Sequence, residues 1–76
     1  LAANPDDLQA RHQLGMHAAT AGDYPAAMEQ LFEVMRRDRR YGDDAGKRGL
    51  IALFEILGGD HPLVQQYRRK MAPLLY

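Results

Sequence analysis

Gly22-Asp23-Tyr24-Pro25-Ala26-Ala27 is the stretch that decides the fold, because its residue order is that of a turn between two closely packed helices. Gly22 suits the left-handed conformation that ends one helix, Asp23 the cap of the next, and Pro25 the first turn that follows. Gly59-Asp60-His61-Pro62 repeats that order 37 residues later. Gly59, Asp60 and Pro62 are therefore expected to do in the second copy what Gly22, Asp23 and Pro25 do in the first, with His61 in the place of Tyr24. Two copies of one turn imply two copies of one hairpin, and so an all-α chain of four antiparallel helices.

A second pair of landmarks gives the period. Leu14-Gly15 with Ala18 precedes the first turn and Arg48-Gly49 with Ala52 precedes the second, and Gly15 and Gly49 stand 34 residues apart. That is the tetratricopeptide period. Ala27 follows Gly15 by twelve residues and Leu31 follows Ala27 by four, as in such a repeat, whereas its usual Tyr is Ala18 here. Repeat one is expected over 5–38 and repeat two over 42–76, stacked as two hairpins. The glycines differ by 34 and the turns by 37. The first helix of the second copy is therefore expected to be longer by about one turn.

Helix one is expected to begin at Asn4 with Pro5 first in the helix, to end near Ala21, and to pack through Leu8, Leu14, Ala18 and Ala19. Helix two should run from Tyr24 to Arg37. It places Ala27, Leu31 and Val34 against helix one and Met28, Phe32 and Met35 on a second stripe, an apolar arc wide enough to be covered on two sides. Glu29, Gln30 and Glu33 are left for solvent. Helix three, starting near Asp43 or Asp44, carries Leu50, Leu53, Phe54 and Leu57 at helical spacing, extended by Ile51 and Ile56, and is expected to be the most buried. Gly46 and Gly49 within it imply a close backbone contact that offsets their poor helix propensity. Helix four presents Val64, Tyr67, Met71 and Leu74 inward. Pro73 should end or kink it near Ala72, so that Leu74, Leu75 and Tyr76 either fold back as a cap or stay exposed.

Seventy-six residues make one small domain, which buries only roughly 60% of its unfolded surface. Two repeats alone stand at the margin of independent stability, and the chain begins at Leu1 without an initiator Met. It therefore reads as a piece of a longer protein. With no cysteine, these residues hold no disulfide, thiolate metal site or thiol redox chemistry. The apolar stretches are broken well before the ~18 residues a membrane span needs, and no signal-peptide pattern is present. A cytoplasmic setting and no membrane partner are expected. The net charge of zero is unevenly spread. Residues 1–35 set Asp6, Asp7, Asp23, Glu29 and Glu33 against Arg11 alone, and residues 36–76 carry the compensating cations. That polarity favours head-to-tail contact or an acidic partner.

Few residues bear chemistry. His12 and His17 are five apart and do not share a helix face as zinc-helix histidines do, so no metal or other cofactor is expected. Asp6-Asp7 and Asp43-Asp44 stand where acids at helix N-termini belong, so the capping reading outweighs acid–base chemistry. No nucleophile or phosphate-binding motif accompanies them, and no catalytic function is expected. Arg36-Arg37-Asp38-Arg39-Arg40 is a helix end followed by a solvated loop, or a contact patch. The neutral domain lacks the positive excess of a nucleic-acid binder. The better interaction candidate is Tyr67, Arg68, Arg69 and Lys70 with the tail Leu74, Leu75 and Tyr76, since Arg and Tyr beside apolar residues are what interface centres favour. The alternative is a solvated face with a terminal cap.

Asn4-Pro5-Asp6-Asp7, Ala21-Gly22-Asp23-Tyr24, Met35-Arg36-Arg37-Asp38-Arg39, Leu53-Phe54-Glu55-Ile56-Leu57-Gly58 and Asp60-His61-Pro62-Leu63-Val64 with Tyr67-Arg68-Arg69 together resemble one family. It is the C-terminal tetratricopeptide region of bacterial thioredoxin-like proteins of the YbbN or CnoX type, the chaperedoxins. The resemblance implies an N-terminal thioredoxin-like domain upstream, and a protein-interaction role beside molecular chaperones, chaperonins or client proteins under stress. Repeats that clamp the acidic C-termini of chaperones carry Asn just after the repeat glycine. Met16 and Leu50 occupy those places here, so recognition of a terminal carboxylate is not expected. The competing expectation is a dimerisation or scaffold module with no other partner.

Overall fold

The computed structural model describes residues 7–75, Leu75 by its backbone alone. Asn4, Pro5, Asp6 and Tyr76 lie outside the described residues. Four helices follow one another: α1 (Leu8–Thr20), α2 (Tyr24–Arg37), α3 (Ala45–Leu57) and α4 (Pro62–Met71). A 3-10 turn over Ala72–Leu75 extends the last. The order is that of two helical hairpins, and a thickness of 18 Å against 37 and 32 Å in the other directions leaves room for two layers of helix.

The first turn forms as its residues require. Asp23 N–H donates to the Ala18 carbonyl at 2.8 Å and Gly22 N–H to that of Ala19 at 3.0 Å, the paired bonds of a Schellman motif, with Gly22 at a φ of +83°. The Asp23 carboxylate then accepts from the N–H of Ala26 at 3.3 Å and opens α2. The second turn is built differently. Gly58, at φ +92° and ψ 149°, ends α3 in a region open to glycine alone, where Gly59 was expected to. α4 opens directly on Pro62, which moves the cap one residue along: His61 Nδ1 accepts from the N–H of Leu63 at 3.1 Å, and Asp60 stays exposed.

The expected cap of α1 moves as well, since Asp7 accepts from the N–H of Ala10 at 3.1 Å. Asp43 and Asp44 do not cap α3 with their side chains. Both are left-handed, at φ of +60° and +62°, in a run begun by Gly42 at +59°, and Asp44 holds the cap position without a side-chain bond. The chain is braced there by Arg48, whose Nη2 donates to the Gly42 carbonyl at 2.9 Å. α3 is not longer than α1, for both have 13 residues. It extends three residues further beyond its repeat glycine but begins three residues closer to it, because the left-handed run occupies the turn of helix expected there.

The centre of the molecule is α2, not α3. Ala27, Met28, Leu31 and Val34 have no exposed surface and Met35 has 1%, because α1 covers one side of α2 while α3 and α4 cover the other. α3 buries Gly46, Leu50, Leu53 and Phe54 but leaves Ile51 and Ile56 exposed, Ile56 by 64%. Leu31 is held between the two repeat glycines. A Cβ on Gly15 would lie 3.1 Å from its Cγ, and one on Gly49 2.9 Å from its Cδ1. Leu14 turns to solvent instead of packing, because its neighbour Gly15 is the residue that faces Leu31 of α2.

The second hairpin is less closed than the first. α1 runs along α2, whereas α4 rests mainly on α2 and its backbone diverges from that of α3. Val64, Tyr67 and Met71 join the core, and Ala52, the second-copy counterpart of the half-buried Ala18, is exposed.

Candidate functional site

The divergence of α3 and α4 creates a groove of about 630 Å³ on the outer side of the second hairpin. Its sequence origin lies in one exchange. Leu31 fills the seam of the first hairpin, and the residue 37 positions later is Arg68. Arg68 stays exposed and lays its guanidinium 5.7 Å from the centre of the Phe54 ring, a cation–π arrangement that uses the ring without closing the gap. Ile51, 39% exposed, supplies most of the open apolar surface above a floor of the buried Phe54 and Met71, Lys47, Glu55 and Arg68 stand at its edges, and Gly58 and Gly59 close the turn end. Neither Lys47 nor Arg68 has a carboxylate partner among the described residues.

The residues expected to form a contact surface on α4 divide between core and solvent. Tyr67 belongs to the core, only 4% exposed. Its hydroxyl donates to Glu29 Oε2 on α2 at 2.9 Å, and its ring meets Phe32 edge-on at 5.9 Å. Burial first, and then the hydrogen bond and charge of Glu29, push its phenol up to about 12. Lys70 sits 4.8 Å from the Tyr67 ring centre and 5.8 Å from that of Phe32. Arg68, Arg69 and Lys70 are all exposed. Leu74 folds back, half-buried against the core, and its carbonyl accepts from Arg39 Nη1 at 2.6 Å, so Pro73 turns the helix into a 3-10 cap. The Leu75 side chain and Tyr76 fall outside the described residues.

The other expected residues sort by what they touch. Arg36 forks onto Glu33 with bonds of 2.9 and 3.2 Å, and Arg37 adds one at 3.2 Å. The Arg36 hydrogen bonds are the main cause of a Glu33 carboxyl below its ordinary range. Gln30 accepts from Arg11 at 3.3 Å, so none of Glu29, Gln30 and Glu33 is simply left to water. Arg40 N–H donates to Asp38 Oδ1 at 3.1 Å, which makes much of the basic run a structured helix end. His12 and the exposed Met16 line a shallower depression on the α1/α3 face with Tyr41 and Arg48, and His17 is exposed on α1. Among the described residues no group of His, Cys, Asp or Glu is arranged to hold a metal ion, and no helix is long and apolar enough to cross a membrane.

The groove was missed in the sequence, although the exchange of Leu31 for Arg68 at the 37-residue spacing is its signal. No characterised protein and no solved structure shows a significant match to the chain. The sequence model described as tetratricopeptide repeat matches residues 1–76. With two helical hairpins, a buried leucine wedged between repeat glycines and a match over its whole length, the chain belongs to the tetratricopeptide repeat family.

Proposed function

We propose that this chain is the protein-interaction platform of a thioredoxin-like, chaperone-associated stress protein of the cytoplasm. Tetratricopeptide repeats are in general protein–protein interaction modules on a non-catalytic fold. The partner in this reading is a chaperone, a chaperonin or a client, and the platform stands beside a thioredoxin-like domain of the same protein. The observation that carries it is on α4, where Arg68, Arg69 and Lys70 are exposed in succession on a helix anchored by Val64, Tyr67 and Met71. A helix that displays cations beside an apolar groove recognises protein surfaces of opposite charge.

The test is co-purification of chaperones and chaperonins from bacterial cytosol with the chain, compared with an Arg68→Glu, Arg69→Glu double variant of equal helicity. Retention by the parent and loss by the variant is the expected result, and equal retention removes the site from α4. A chain that retains only itself points to dimerisation, for which Leu14, 44% exposed on the outer face of α1, offers a contact. Sedimentation over a concentration series separates that role, because a dimerisation module cannot stay monomeric at high concentration.

A further inference from the structure

We infer that the α3/α4 groove docks one amphipathic helix of a protein partner, with its apolar face on the exposed Ile51 above the buried Phe54 and Met71 and acidic residues on its flanks. The inference deepens the protein-interaction reading and rests on it.

The fold itself shows how such a face is filled. α3 lies across the first hairpin with Gly46 and Gly49 against Leu31 and Met35 of α2. The second hairpin presents the corresponding outer side, and no described element covers it. Its open length suits a helix. Lys47 and Gly58 mark its ends on α3, and at 1.5 Å per residue they are about 16 Å apart, the length of three helical turns. Anchors at i, i+3, i+4 and i+7 span about 10.5 Å, two of those three turns, which is how amphipathic helices engage apolar grooves.

Charge selects among occupants. Lys47 on α3 and Arg68 on α4 face the groove from opposite sides without carboxylate partners among the described residues, and Glu55 is the one acid that lines it. Arg69 is exposed next to Arg68, whereas Lys70 lies over the Tyr67 and Phe32 rings and does not line the groove. A helix with acids on both flanks satisfies Lys47 and Arg68 together, whereas a basic helix meets repulsion on both sides. A second copy fits less well. The outer face of α1 presents Ala10, Gln13, Leu14 and His17, and its one described acid, Asp7, is engaged as the cap of α1.

The probe is a fluorescein-labelled designed helix with Leu at i, i+3, i+4 and i+7 and Glu on the flanks, titrated with the full chain and read by anisotropy. Backbone amide spectra locate the contact. Saturable binding is expected, with shifts centred on Ile51, Phe54 and Met71. A peptide with Lys in place of Glu should bind at least about tenfold more weakly, as should Ile51→Asp and Lys47→Glu chains. Both substituted side chains border solvent, and circular dichroism verifies the fold of each variant. Absence of saturable binding, equal affinity for the Lys peptide, or shifts centred on Met16 and Tyr41 overturns the inference. So does peptide-free self-association that Ile51→Asp abolishes, which would make the occupant a second copy. A chaperone retained equally by the parent, Ile51→Asp and Lys47→Glu chains also overturns the groove assignment while leaving the interaction role intact.

Discussion

Tyr67 ties the last helix to the centre of the molecule through one ring and one hydroxyl, and its titration exposes the strength of that tie. The folded phenol is pushed from its usual 10.0 up to about 12. Between those values the native chain keeps a proton that the unfolded chain has released. Its stabilisation is therefore fully present below pH 10 and declines as pH rises towards 12. Tyr67→Phe keeps the edge-on contact with Phe32 but removes the bond to Glu29. It should cost about 0.5–1.5 kcal/mol near neutrality, and its deficit relative to the parent should shrink over the alkaline window. Urea denaturation of both chains at a series of pH values checks this. Parallel curves throughout would mean that the Tyr67 hydroxyl is not held as described. The inward place of Tyr67 was legible from its spacing to Val64 and Met71. Its partner was not, because Glu29 lies 38 residues away and looks like any solvated helix acid.

At the scale of the element, α2 shows what local signals can define and α3 what they cannot. Asp23 before α2 and the cations at its end are adjacent to the boundaries they set, so Tyr24–Arg37 is readable from the sequence. The start of α3 is not readable, because Asp43 and Asp44 look like capping residues and instead take left-handed angles supported by Arg48. The small residues of α3 carry its packing. A Cβ on Gly46 would lie 2.8 Å from the Leu31 carbonyl oxygen and 2.9 Å from the Met35 nitrogen, both backbone atoms, while one on Gly49 meets the end of the Leu31 side chain. Alanine improves helix propensity by up to ~1 kcal/mol at either site. At Gly46 the clash with fixed backbone outweighs that gain. Gly46→Ala should therefore destabilise by about 1–3 kcal/mol, and Gly49→Ala by less, as Leu31 can shift by part of an ångström. Denaturant midpoints of the two variants give the order, and a Gly46→Ala chain as stable as the parent would contradict the close approach of α3 to α2.

For the whole molecule, unequal closure of the hairpins means unequal stability. α2 is packed by the other three helices, whereas α4 depends on Val64, Tyr67 and Met71 and lacks the leucine that seals the first hairpin. A domain of this size has little stability to distribute, and its least-packed element opens first. Native-state hydrogen exchange should place the slowest amides on α2 around Met28 and Leu31. Those of α4 should open at a free energy roughly 1–2 kcal/mol lower, through an event that leaves α1 to α3 folded. The same opening exposes the groove floor. An acidic helix bound across α3 and α4 should therefore slow exchange on α4 and leave α1 nearly unchanged, since ligand binding raises the cost of every opening that destroys its site. Identical opening energies on α2 and α4 would show instead that the second hairpin unfolds only with the whole domain, and that Arg68 costs the fold nothing where the first hairpin has Leu31.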